Sequence, residues 1–213
     1  MAMAADDAIR IREELAVSPE KAFQCFGAGI GAWWPREYTW SGDCLESIAI
    51  EPFEEGRCYE RGPLGFQCDW GRVLVWDPPH RLVLAWQIGP DRTPQPDPAK
   101  ASEVQVTFTG GRSGGTTVEL EHRDFARMEG GEAYRDLLAA EAGWPYILGR
   151  YASVVSESGD HVPTASEVES ANRADGRLSG RGGRSSTPAR EPGHLSTDEL
   201  VEIAERASRR VRE

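Results

Sequence analysis

One histidine, a few charged groups and a dense set of indoles are the residues of this chain with a claim to chemistry. In Thr116 to His122, Val118, Leu120 and His122 alternate with Thr117, Glu119 and Glu121. An extended backbone therefore turns the imidazole to the apolar side. Such a group could transfer a proton or orient a bound molecule, but a lone inward histidine is more often a satisfied polar group of a core. His122 is the one catalytic candidate, and no partner for it is evident. Asp69, Arg72 and Glu60 could bring charge to the mouth of a curved sheet, where charged groups ordinarily form a solvated rim. Trp34, Trp70, Trp86, Phe108, Trp144, Leu148 and Tyr151 are candidates, with His122, for lining an apolar pocket or simply filling it.

The sequence contains no H-E-x-x-H, phosphate loop, G-x-S-x-G or cluster of metal ligands, so it calls for no metal and no cofactor. Cys25, Cys44, Cys58 and Cys68 form no C-x-x-C pair, which argues against zinc ribbons and thioredoxin-like chemistry and leaves them as small buried or half-buried thiols.

The elements that must hold these residues centre on Trp70 to Ile88, two apolar runs meeting at Asp77-Pro78-Pro79-His80, which reads as a hairpin. Large apolar groups occupy both faces near Trp70 to Trp76, so alternation does not decide which tryptophan points inward. Further strands are expected at Ala8 to Val17, Leu45 to Glu51, Arg57 to Arg61, Glu103 to Thr109 and Thr116 to His122. Ser18-Pro19-Glu20 is a helix start, and the glycines at 27, 29 and 31 divide the run from Pro19 to Trp34 into two short helices ended by Pro35. Glu132 to Ala142 reads as a helical lead. Trp144, Ile147, Leu148, Tyr151, Val154 and Val155 then form the apolar stripe of a covering helix.

A strand, two short helices, a run of strands and a long helix make an α+β chain with a curved antiparallel sheet of about seven strands wrapped round that last helix. A cavity is expected between them. The domain is drawn at 8–156, followed by a disordered linker at 157–194 and a short amphipathic helix at 195–213. The linker is rich in Gly, Ser, Pro and Arg and includes a small basic patch, Arg177 to Arg184. In the terminal segment Ser196 and Glu199 make a capping box, and Leu200, Ile203, Ala204, Ala207 and Val211 a stripe that could dock on a partner or on the domain. Net charge is −11, and the excess acid falls almost wholly before residue 159. An acidic domain repels phosphate backbones, which excludes nucleic acid as its partner. The acidic N-terminus lacks the features of a signal peptide and no run reaches the length of a membrane span, so a cytoplasmic protein without a membrane partner is expected.

WGRVLVWDPPHRLVLAW at Trp70 to Trp86, SEVQVTFT at Ser102 to Thr109, TVELEHRDF at Thr117 to Phe125 and GWPYILGRY at Gly143 to Tyr151 together resemble the activator-of-heat-shock-protein-90-ATPase-homologue-like domains of the START and birch-pollen-allergen (SRPBCC) superfamily. SPEKAFQCF with WWP, between Ser18 and Pro35, resembles the same family's opening. The resemblance implies a helix-grip fold with an apolar cavity that holds small hydrophobic or aromatic molecules. In some relatives it implies contact with a chaperone and a stress response, and in distant ones cyclisation or dehydration. No shared catalytic motif comes with it, and Cys58 stands where a larger aromatic is expected. The leading expectation is non-enzymatic binding of a small apolar ligand. The alternatives are a chaperone or regulatory partner bound by the outer sheet and tail helix, and a cyclase or dehydratase using His122.

Overall fold

Ser18 opens the first helix as its type requires, its hydroxyl accepting from the backbone N–H of Lys21 while Pro19 occupies the first turn and Glu20 the positive end of the dipole. The structure, a computed structural model, describes residues 7–111 and 114–158. The linker and terminal-helix expectations, from residue 159 on, fall outside the described residues, as does the basic patch.

Seven strands form one antiparallel sheet: β1 (Ile9–Leu15), β2 (Ser47–Ile50), β3 (Arg57–Arg61), β4 (Gln67–Asp77), β5 (Arg81–Trp86), β6 (Ser102–Gly110) and β7 (Thr116–Arg123). Their order is β1-β7-β6-β5-β4-β3-β2, so the first strand is paired with the last. Four α-helices among the described residues accompany it: α1 (Pro19–Gly27), α2 (Ile30–Trp33), α3 (Gly131–Ala139) and α4 (Trp144–Glu157). The sheet curls into a half barrel, and its inner face meets α1, α2 and α4 in one apolar core. This is the helix-grip architecture, with the expected α+β class. Trp144, Ile147, Leu148, Tyr151 and Val155 of α4 are buried, which matches the predicted stripe except that Val154 is only partly covered.

Burial along β6 and β7 strictly alternates, placing Ser102, Val104, Val106 and Phe108 inward beside Val118, Leu120 and His122. β4 departs from alternation twice. Cys58 pairs with Gly71 but Tyr59 with Asp69, which leaves Trp70 as an extra residue against β3. Val73 pairs with Leu84 but Val75 with Val83, which leaves Leu74 extra against β5. Each bulge moves the alternation on by one residue. Trp70 and Val73 therefore both reach the core, and Trp76 turns back to set its ring edge-on to Phe23, with centroids 5.0 Å apart. Gly27 makes room for that indole, since a Cβ there would lie 2.7 Å from a Trp76 ring carbon.

Two expectations are corrected. Glu60 is fully buried and not part of a solvated rim. It faces inward because it pairs with Cys68 on β4, and loop donors satisfy its carboxylate. Asp69 and Arg72 do form a half-exposed ion pair, at 3.3 Å. Cys44 is exposed, because it lies on a short 3-10 turn outside the sheet and not on a strand as the buried cysteines 58 and 68 do.

Candidate functional site

β7 delivers His122 to the inner face, where both ring nitrogens are engaged. Trp144, at the start of α4, places its indole Nε1 2.9 Å from Nδ1. An indole N–H can only donate, so Nδ1 accepts and carries no proton. Nε2 therefore holds the proton and donates it to Ser102 Oγ, 2.8 Å away on the neighbouring strand. The ring is fully buried and lies against Phe125, with centroids 4.3 Å apart. Burial disfavours the imidazolium and pulls its pKa down to about 3. The histidine is thus held neutral in a single tautomer, its one lone pair already occupied by an indole.

Around it stand four tryptophans from four elements. Trp34 follows α2, Trp70 is the bulge residue of β4, Trp86 ends β5 and Trp144 opens α4. Trp34 and Trp70 are nearly parallel, with centroids 6.1 Å apart and planes inclined by 15°. Trp86 meets Trp70 at 5.7 Å, Trp144 at 5.5 Å and His122 at 5.6 Å. These are contact distances between aromatic rings. The Trp86 indole donates to the hydroxyl of Tyr134 on α3 at 3.0 Å. Tyr134 is itself buried, which pushes its phenol up to about 12. Trp70 is different. Its Nε1 is buried and has no hydrogen-bond partner among the described residues.

The structure does not bring all eight predicted residues together. Trp34, Trp70, Trp86, His122 and Trp144 share one aromatic group. Phe108 and Tyr151 belong to a second, with Phe23, Phe26 and Trp33. There the Tyr151 hydroxyl donates to the Ala22 carbonyl at 2.7 Å, tying α4 to α1. Leu148 is fully buried in the common core.

At the edge of the indole group, two loops are clamped to each other and to the sheet. The Glu60 carboxylate accepts from the backbone N–H groups of Trp40 and Ser41, at 3.0 and 2.9 Å, and from the Ser41 hydroxyl at 2.7 Å. Arg92 donates to the Tyr38 carbonyl at 2.7 Å, and the Trp40 indole donates to the Arg92 carbonyl at 3.0 Å. Arg92 also faces the Trp40 ring, its guanidinium carbon 5.7 Å from the centroid, and burial lowers its pKa.

Sequence reasoning missed Ser102, Tyr134, Phe125 and Arg92. Only Ser102 was within its reach: beginning the sixth strand one residue earlier puts it on the face of Val104, and the sheet sets Val104 opposite His122. No group of three or more His, Cys, Asp or Glu side chains among the described residues could hold a metal ion. No helix among them is long and apolar enough to cross a membrane.

The profile of the Activator of Hsp90 ATPase homolog 1-like protein family matches residues 16–156. The chain belongs to this family. Among solved structures, this Activator of Hsp90 ATPase homolog 1-like domain is similar to an anthrahydroquino-γ-pyrone synthase, Txn09, at 35% identity and a TM-score of 0.51, covering 71% of this chain and 99% of that one. It is also similar to the self-sacrificing resistance protein CalC from Micromonospora echinospora, at 26% identity and a TM-score of 0.51, covering 73% and 97%. A protein from Nitrosomonas europaea shares the fold at 14% identity, with a TM-score of 0.52 and coverage of 74% and 99%. No curated protein gives a significant match. The family's helix-grip fold is a ligand-binding one.

Proposed function

We propose that this domain holds a flat aromatic molecule among the indoles of Trp34, Trp70, Trp86 and Trp144, with His122, Tyr151, Phe108 and Leu148 forming the apolar floor beyond them. The observation that carries this reading is the convergence of four tryptophans from four elements on one part of the inner face, backed by a neutral histidine. Indole faces suit a planar guest. The rings touch one another, so a guest enters by parting them. The role is to bind and not to transform, since the one buried imidazole among the described residues has both nitrogens engaged. The test is thermal unfolding against concentration of polycyclic aromatic compounds, together with mass spectrometry of whatever co-purifies. Binding to the native state raises the melting temperature with ligand concentration; no shift across the series overturns the reading.

A second reading, ring-forming chemistry on such a molecule, is favoured by the 35% identity to a pyrone synthase. It requires His122 to give up the Trp144 bond when substrate binds. A His122→Gln variant that folds and binds but no longer converts an aromatic precursor supports it, whereas unchanged turnover removes it. The family description also suggests a chaperone partner; an added chaperone that raises the melting temperature where no aromatic compound does supports that reading instead.

A further inference from the structure

The indole group holds two hydrogen-bond donors with no acceptor among the described residues. Trp70, 2% exposed, has an Nε1–H with no acceptor among the described residues. Tyr134, 5% exposed, accepts from the Trp86 indole at 3.0 Å, and its own hydroxyl proton has no acceptor among the described residues. Both flank one ring. The Trp70 centroid is 5.7 Å from that of Trp86, and the Tyr134 oxygen is bonded to the Trp86 nitrogen. Buried donors are nearly always paired, and an exception calls for a cause. Trp70 is the extra residue of a bulge in β4, and bulges are over-represented beside functional sites.

We propose that Trp70 and Tyr134 donate to ring oxygens of the guest, so that the site selects planar aromatics bearing carbonyl oxygens, quinone-like molecules, over hydrocarbons of the same shape. This rests on the ligand-holding reading above and adds its chemical class. Carbonyl oxygens accept from N–H and O–H and can offer nothing back, which suits a site whose spare groups are both donors. A hydrocarbon guest would displace any water from both donors and leave them unpaired, which is the kind of mismatch that polar pockets discriminate against most strongly.

The experiment compares anthraquinone-2-sulfonate with anthracene-2-sulfonate, matched in shape and charge, by equilibrium dialysis against wild type, Trp70→Phe and Tyr134→Phe. The expected result is a wild-type preference for the quinone of about tenfold or more, reduced about fivefold to tenfold by each variant, through weaker quinone binding, stronger hydrocarbon binding or both. Equal wild-type affinity for the two probes overturns this inference and leaves the ligand-holding reading standing. A preference that neither variant reduces overturns the assignment of the donors. Binding of neither probe overturns the reading beneath it as well. Should either variant fail to fold, the wild-type comparison still decides, because it needs no substitution.

Discussion

Trp144 donates its indole N–H to Nδ1 of His122, at 2.9 Å across the join between α4 and β7. That bond makes the histidine part of how the helix is seated on the sheet. It also sets the tautomer and takes the lone pair that a general base would need.

Protonating His122 must break this arrangement, which fixes the sign of the pH dependence. Its folded pKa lies near 3 and below the ordinary value of 6.5. Its contribution is complete above the unfolded value and is lost as pH falls toward the folded one, with a slope of at most about 1.4 kcal/mol per pH unit. Denaturant unfolding from pH 7 down to about 5 should show wild type losing stability faster than His122→Gln, which keeps a donor and an acceptor without titrating. Parallel curves would show that the histidine is not held neutral.

Glu60 gathers three donors from a loop about twenty residues away in sequence. Glu60→Gln replaces one acceptor oxygen with an NH2 that faces those donors, and should destabilise the domain by about 1.5–3 kcal/mol in urea unfolding. Ser41→Ala, which removes only one of the donors, should cost about 1 kcal/mol. A neutral Glu60→Gln would mean that the carboxylate is wet.

Tyr151 fastens α4 to α1 through the Ala22 carbonyl, and burial raises its phenol above the ordinary range. Tyr151→Phe keeps the ring among Phe26 and Trp33 but loses that bond. A loss of about 1 kcal/mol is expected, seen as a lower urea midpoint with an unchanged slope.

The four thiols should separate by accessibility. Cys44 is exposed, whereas burial raises the pKa of Cys25, Cys58 and Cys68, the last to about 12. A chromogenic disulfide reagent at neutral pH should titrate one thiol in the native protein and four after denaturation. Fast reaction of a second native thiol would contradict the packing.

Much of this architecture could be read from local pattern. β6 and β7 alternate without interruption, so the inward direction of His122 and Phe108 comes from counting residues by two. The α4 stripe comes from helical spacing, and the Ser18 cap from residue type. The partners were less accessible. Tyr134 reaches Trp86 from a helix, and Arg92 reaches Tyr38 and Trp40 from a loop, both placed by how the whole sheet curls. Glu60 reads as a rim charge because two of its three donors are backbone N–H groups, which carry no sequence signature. β4 resisted for a different reason: a bulge depends on its neighbours' pairing, and no residue type announces that Trp70 will be unpaired against β3.

Leu74 has no opposite number on β5, is partly exposed and contributes little to the interior. Deleting it would let Val73 and Val75 sit side by side in regular pairing and keep Trp76 on its present side. The strand would lose not its allegiance of faces but its bow. A straighter β4 would change the curvature of the wall, so this spare leucine helps to shape the half barrel around its tryptophans.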